Sequence, residues 1–503
     1  MAMAATQRTV EDSPTRAGRL SRAALLRRLC GAVVLLAGAS LAACTAGPAG
    51  PASIQGGTST ATTRAAAASS ATSTASTSSA ATSAAAGSPA VINVVYIRQA
   101  NVSLAAALKA QAAAFNRDQH ALHATFQNAT GVGTSGASWP TKRTAMLASG
   151  TAPDCFELGE DELAGVASTG SLLNLSARLA RDAKEVNPND FFPAHLEAGK
   201  WQGNQVALPP DGCAILQYYN INAFQAAGVT LPKADWTWND YLNAAMKLTK
   251  KDAAGQVVQA GEGTVFTDTQ LLTWLWSNGG DVFSPDFKQV LVKQQPVVDA
   301  VQFVVDLVQK YGVTVSSPGV KLGANVFPTA NAAMFRANRG FFGTMQPVSS
   351  FTFDVVPLPR SPGTQQSVTF TAPGLIAIAK ANVQPEAAWT WLKFLTGTEA
   401  EIIRSKVAGG CPSRQSATQD PSYTAYSMPS LASAKANATF AQVLQNPQMA
   451  RFVPKYVAMD QAVQILSKHV TAAMQGQQSV SNALDGAQQE LAGLLKSTPQ
   501  PAG

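Results

Sequence analysis

Val91-Ile92-Asn93-Val94-Val95-Tyr96-Ile97 is followed closely by a segment carrying Leu104, Leu108 and Phe115. The first stretch is short and rich in β-branched residues, the composition of a buried strand. The second repeats its apolar residues at helical spacing and predicts a helix with one face turned to a core. This strand-then-helix order recurs down the chain. Thr237 precedes Trp238–Leu248, and Asp240 at the third helical position gives the start a capping-box pattern. In 297–308, Val297, Val301, Val304 and Val308 keep one helical face. Residues 385–396 open with Pro385 in the first turn and stop before Gly397. The last helix has Ser481 as its expected N-cap and a Leu484, Leu491, Leu495 stripe. Between these helices lie the apolar strands Phe353-Asp-Val-Val-Pro357 and Gly374-Leu-Ile-Ala-Ile-Ala379. Such alternation predicts α/β lobes built around mostly parallel sheets. The chain carries no internal repeat.

The bulk composition narrows the function classes. The chain has 503 residues, 46% hydrophobic and 13% charged, enough for two or three domains and too sparsely charged for a nucleic-acid binder. Its formal charge of +7 is concentrated at the start. Residues 1–43 hold Arg8, Arg16, Arg19, Arg22, Arg27 and Arg28 against Glu11 and Asp12, a net of +4, which leaves +3 for the remainder. Arg27-Arg28 precedes an apolar run from Gly31 to Ser40, too short to span a bilayer, and the run ends in Leu41-Ala42-Ala43-Cys44-Thr45. That ending resembles a bacterial lipobox, which implies export and a lipid on Cys44. The arginine pair does not decide the export route. From Cys44 to about Pro89 the sequence is almost wholly Thr, Ser, Ala, Gly and Pro, with Arg64 its one charge. It cannot bury enough apolar surface to offset its ordering entropy, so a disordered tether is expected.

Beyond Cys44 the exported chain has Cys155, Cys213 and Cys411. One disulfide with one free thiol, or three buried thiols, both fit an oxidising compartment, and spacing does not choose a pairing. The four histidines, His120, His123, His195 and His469, form no metal-ligand pattern; His120 and His123 could share a helix face or lie in a solvated loop. No cofactor, metal or catalytic residue is indicated, and there is no Gly-x-Ser-x-Gly or phosphate loop. A secreted glycosidase would need two carboxylates about 5–10 Å apart across a cleft; Glu157 and Asp211 could supply them, but nothing in the sequence pairs them.

Five motifs occur in one order. They are Met146-Leu-Ala-Ser-Gly-Thr-Ala-Pro-Asp-Cys-Phe-Glu157, then Tyr218-Tyr219-Asn220 leading to Ala227-Gly228 and Thr237-Trp238, then Asn278-Gly279-Gly280-Asp281. Ala332-Ala333-Met334 with Gly340-Phe341 follows, and last Ala372-Pro373-Gly374 before the helix bearing Trp389 and Trp391. In this order they resemble the family 1 extracellular solute-binding proteins, the group containing maltose-binding protein, over about residues 91–497.

The resemblance implies a two-lobed periplasmic-binding-protein fold of type II kind, with a ligand cleft between lobes joined by hinge strands. The crossings are expected near Pro210–Gly212, Thr369–Pro373 and Gly410–Ser413. The expected organisation is a signal peptide (1–43), tether (44–90), first lobe (91–211 and 371–410), second lobe (212–370 and 411–497) and tail (498–503). The ligand is expected to be a sugar, passed to the permease subunits of an ABC transporter by a membrane-anchored monomer. Another polar solute, or a sensory role through a membrane receptor, are the alternatives. A sugar offers rim hydroxyls and apolar C–H faces, so its site needs polar groups and rings. The polar candidates are Arg98, Gln99, Glu157, Glu160, Asp211, Asn278 and Asp281, with Gly374 at the second crossing. The ring candidates are Trp274, Trp276, Phe341, Phe342 and Tyr456. Asp154 is read as a strand-end turn residue, and Asn220 and Trp238 as supports of the fold.

Overall fold

The computed structural model describes residues 90–96, 102–119, 121–128 and 138–498. Cys44, the export signal, the tether, His120, Arg98, Gln99 and the last five residues lie outside the described residues.

The strands are β1 (Ala90–Tyr96), β2 (Leu122–Asn128), β3 (Cys155–Gly159), the hairpin pair β4 (Lys200–Trp201) and β5 (Asn204–Gln205), β6 (Ala207–Ala214), β7 (Leu216–Asn220), β8 (Lys250–Lys251), β9 (Val257–Glu262), β10 (Ala332–Ala337), β11 (Phe353–Val356), β12 (Thr369–Ile378) and β13 (Ala450–Arg451). They form two main sheets within one unit, Ser83–Gly503. The first sheet has the order β13-β12-β3-β1-β2, with β6 also paired to β12; the second has the order β11-β7-β10-β9-β8. The chain leaves the first sheet along β6, enters the second at β7, and returns along β12.

That path corrects one expectation. The sheets are mixed, not mostly parallel. β1 runs parallel to β2 and β3, but β12 is antiparallel to both β3 and β6, and β7 is antiparallel to β10 and β11. A strand that comes back from the second lobe along the path β6 took outward must run against it.

In the first sheet alternate residues face two separate apolar layers. Ile376 and Ile378 of β12 join Phe115, Trp389 and Trp391 on one side. Leu375 and Ala377 join Phe156, Leu163 and Trp201 on the other. Both faces are covered, so these strands read as continuous apolar runs. The second lobe packs its helices around Trp238, Tyr241, Trp274 and the Val297–Val308 stripe.

Helix boundaries follow local chemistry. The Asp240 carboxylate accepts from the Thr237 N–H at 2.9 Å, and Thr237 Oγ1 accepts from the Asp240 N–H at 3.2 Å, the reciprocal cap expected from the sequence. The Pro385–Leu395 helix matches its expected limits closely. The last helix spans Val480–Ser497 and is capped by Ser479, two residues before the expected Ser481. His123 lies on β2, exposed, so the helix-face reading of that histidine does not hold. No helix among the described residues is long and apolar enough to cross a membrane.

Candidate ligand cleft between the lobes

Strand β3 ends at Gly159, and the helix Glu160–Ser168 begins at once with three acids, Glu160, Asp161 and Glu162. Carboxylates suit this position, because the first turn of a helix carries unpaired N–H groups and the positive end of its dipole. The three acids point to different places. Glu160 is buried, and its carboxylate accepts from the Asp161 N–H at 2.7 Å. Glu162 accepts from the Gly159 N–H at 2.7 Å and from Arg143 at 3.2 and 3.3 Å. Asp161, Glu162 and Arg143 line a groove of about 590 Å³. The first lobe lines it with Thr144, Thr169 and Ser171 together with the apolar Pro140, Leu147, Ala148 and Val166, and the second lobe with Val457 and Asp460, so that acids, hydroxyls and apolar side chains are mixed. Both lobes therefore present hydrogen-bonding side chains to one space, of the size that takes a small ligand.

A second groove, about 730 Å³, also runs between the lobes. It is more apolar. Pro193, Ala194 and Glu197 face Phe283, Phe287 and Phe452 across it, with Asp281 and Arg451 at its wall. The segment Phe452–Val457 separates the grooves and ties the lobes. Phe452 and Val457 pack on the first lobe's apolar layer, and the Lys455 ammonium donates to the Glu197 carbonyl at 2.5 Å. Burial pushes the Lys455 amine down to about 8, although Glu197 acts in the other direction.

A third cluster gathers three of the expected site residues. The Arg404 guanidinium donates from Nη2 to Glu157 at 2.7 Å and from Nε to Asp211 at 2.6 Å. Gly374 sits against them: a Cβ there would lie 2.8 Å from Glu157 Oε1 and 2.9 Å from Asp211 Oδ1. Glycine is required by close approach. Neither carboxylate lines either groove; both are held inside the first lobe by one arginine. This also leaves no pair of carboxylates facing each other across a cleft at Glu157 and Asp211.

The expected rings need correction. Trp274 is 1% exposed, with the Arg336 guanidinium 4.0 Å from its ring centre and Trp238, Tyr241 and Phe266 edge-on around it. Trp276 is buried, donates its indole N–H to Asp281 at 3.3 Å, and is covered by Arg451 at 4.7 Å. Phe342 is buried and stacked on Tyr426. Tyr456 is 1% exposed, packed on Phe283 and Phe287, and its hydroxyl donates to the Thr498 carbonyl at 2.8 Å. Each of these rings spends its faces on the core. Phe341 keeps part of its surface, against Phe335 and Tyr218.

The polar expectations divide likewise. Asn278 donates to the Pro296 carbonyl at 2.8 Å and secures a turn, whereas Asp281 pairs with Arg451 at 2.8 Å on the wall of the apolar groove. Asp154 accepts from Asn382 at 2.7 Å as a turn residue, and Asn220 caps the helix after β7. Sequence reasoning missed Arg143, Asp161, Glu162 and Asp460 at the polar groove and Arg404 behind it. The signal that could have found Asp161 and Glu162 is the run of three acids at a helix start.

Comparison with known proteins agrees with this architecture. An ABC substrate-binding protein from Listeria monocytogenes, solved with cycloalternan, superposes with a TM-score of 0.67 at 22% identity, over 81% of this chain and 99% of that one. The maltose-bound MalE3 of T. maritima gives 0.64 at 22%, over 81% and 100%. The sugar-binding protein MalE of Xanthomonas citri gives 0.70 at 16%, over 82% and 100%. A curated relative from Sinorhizobium fredii, "Probable amino-acid ABC transporter periplasmic-binding protein", is 25% identical over 249 residues, 48% of this chain, and the chain spans about half of that relative's length (54%). The family model described as "Bacterial extracellular solute-binding protein" matches residues 101–402, more than half of the chain. With two lobes, strands crossing between them and a groove where they meet, the chain belongs to the bacterial extracellular solute-binding proteins.

Proposed function

We propose that this chain captures a saccharide in the polar groove between its lobes and hands it to the permease of an ABC transporter, held at the membrane by a lipid on Cys44. The observation that carries the ligand reading is the groove lining. Asp161, Glu162 and Asp460 can accept from sugar hydroxyls, Arg143 can donate to them, and Thr144, Thr169 and Ser171 can do both. The volume of about 590 Å³ suits a small oligosaccharide better than a single amino acid. Two of the superposing structures are described with cycloalternan and maltose bound, which supports the same class. Ligand would bridge the lobes and favour their approach by contacts made only when they meet, a binding step without bond chemistry.

The test is a thermal-shift screen of the purified chain against maltose, maltotriose, cycloalternan and the common amino acids. A ligand that binds only the folded state raises its melting temperature. A shift with a saccharide and none with amino acids supports the reading; the reverse pattern overturns it in favour of the amino-acid description of the Sinorhizobium relative. Anchoring is tested separately. Cys44→Ser should abolish lipid labelling and release the protein from membranes, and retention equal to the parent's would exclude a lipid at Cys44.

A further inference from the structure

All three passages between the lobes meet at one level. Cys213, near the end of β6, is the register partner of Ala372 in β12, so the first and second crossings are laddered together. The third crossing follows the helix Thr398–Ala408, which ends at Gly409 with φ of 76°, and reaches Cys411. Cys213 and Cys411 form a disulfide with Cα atoms 5.1 Å apart, across 198 residues of sequence. Besides that bond, the contacts here are non-covalent: the Gly212 N–H donates to the Cys411 carbonyl at 3.0 Å, the Cys411 N–H to Cys213 Sγ at 2.9 Å and the Phe192 N–H to the Ser413 carbonyl at 2.9 Å, while Arg404, before the crossing, pairs with Asp211 of β6 at 2.6 Å. Next to it the third crossing is held by a side chain of the second lobe. Arg339 donates to the Gly409 and Gly410 carbonyls, both at 3.0 Å, from between Tyr423 and Tyr426. The remaining cysteine, Cys155, is a buried free thiol in the first sheet, and burial pushes its thiol well above the ordinary value.

We propose that the Cys213–Cys411 bond is a conformational limiter of the hinge, and that the redox state of the pair sets how widely the lobes part. Lobe movement in such a fold is absorbed by a few backbone torsions in the crossings. With the bond intact, the third crossing must follow the first, and the first is bound by its ladder to the second, so the three turn together. With the bond cut, non-covalent contacts alone hold the third crossing to the first, and these can open as it turns about Gly409 and Gly410. The parted state then gains conformations that the approached state does not, and the fraction of molecules competent to close on ligand falls. Cutting is ordinary thiol–disulfide exchange. A dithiol supplies two electrons, the Sγ–Sγ bond breaks, each sulfur takes a proton, and the dithiol becomes a cyclic disulfide. Cys411 is buried but Cys213 is half-buried, which gives a small thiol one sulfur to approach.

The experiment compares the purified chain before and after dithiothreitol, and the Cys213→Ser/Cys411→Ser variant without reductant, by small-angle scattering in the absence of ligand. Reduction is expected to release two thiols and to enlarge the radius of gyration with a broader distance distribution. The double variant should reproduce the change. Titration with maltotriose should then show affinity about three- to tenfold weaker in the reduced chain. Failure to release the two thiols from folded protein overturns the proposal, as does release with superimposable scattering curves. A lower melting temperature with unchanged scattering assigns the bond to stability alone and also overturns it. The scattering arm uses no sugar, so a wrong ligand assignment cannot be mistaken for a rigid hinge.

Discussion

Arg404 and Arg143 are both buried arginines of the first lobe, and each is held by carboxylates, but in different ways. Arg404, with 2% of its side chain exposed, spans two carboxylates from separate strands at 2.6 and 2.7 Å. Arg143, at 4%, meets Glu162 through two longer contacts of 3.2 and 3.3 Å. The first arrangement is closed: β3, β6 and the Thr398–Ala408 helix are tied at one point, and Gly374 leaves no room beside it. The second borders a groove, where a hydroxyl-bearing ligand could insert its own hydrogen bonds. Similar charges thus close a site inside the fold in one place and border a space in the other, and what separates the two is whether room remains beside them.

The contrast is broken most severely at Arg404. Arg404→Met would leave the buried Glu157 and the partly buried Asp211 without their shared cation, a change that costs about 3–5 kcal/mol. Chemical denaturation should show that loss, while the molecules that remain folded bind ligand as the parent does. A variant as stable as the parent would mean that the cluster contributes little to the fold.

His195 tests the hinge side of the same comparison through pH. Its ring is fully buried, Nε2 is 2.8 Å from Thr371 Oγ1, and a Cβ on Gly212 would lie 2.6 Å from its Cε1. Burial pushes the imidazole down to about 3. The unfolded chain therefore takes up a proton near pH 6.5 that the folded chain refuses. Stability is fully present above about pH 6.5 and is lost as pH falls toward 3, at no more than about 1.4 kcal/mol per pH unit. Between pH 6.5 and 4.5 the parent should lose roughly 2–3 kcal/mol more than His195→Gln, measured by denaturation at each pH. Parallel pH profiles for the two would show that His195 is protonated in the folded state or exposed to water.

At the groove the expected effect is smaller and falls on binding. Asp161→Asn keeps the size of the side chain and removes its charge. A hydrogen bond from a sugar hydroxyl would weaken, lowering affinity about tenfold, ~1.4 kcal/mol. Stability should stay within about 0.5 kcal/mol, since Asp161 is only partly buried. Calorimetric titration with the saccharide found in the screen measures the first, and melting the second. Unchanged affinity in both Asp161→Asn and Asp460→Asn would remove the polar groove as the ligand site.

Much of the fold could be read in the residues themselves, because strand and helix periodicity is local. The Thr237–Asp240 cap, the Pro385 start and the strand at Gly374 depend on neighbours within a few positions, and they appear where expected. The direction of β12 was not readable in this way, since it depends on the route back from the second lobe. The ligand groove was harder still. Glu157 and Asp211 have the right chemistry, but Arg404, 247 and 193 residues away in the chain, engages both, burying Glu157 and leaving Asp211 partly exposed. Among Glu160, Asp161 and Glu162 the type of side chain is nearly constant. Which of them face the groove follows from the rotation of one helix against β3, a fact that composition does not carry.

Phe341 and Phe342 put that limit into one adjacent pair, and the smallest expected effect belongs to Phe341. Phe342 is enclosed by Tyr218, Tyr426 and Phe440, so truncation to Ala should cost about 3–5 kcal/mol of stability. Phe341 is only half-buried, and its ring rests on Phe335 at 4.9 Å between centres and on Tyr218 at 5.4 Å. It lies next to the hinge, where Gly340 approaches Gly409, and does not line the polar groove. A sugar seated between Asp161 and Asp460 would therefore leave this ring alone. Phe341→Ala should change affinity by no more than about twofold, ~0.4 kcal/mol, with a modest loss of stability. The measurement is a titration of Phe341→Ala beside the parent, with the unfolding midpoint of each recorded. A tenfold loss of affinity at an unchanged midpoint would show that the ring stacks on the ligand after all, and would move the binding site from the Asp161 wall toward the hinge.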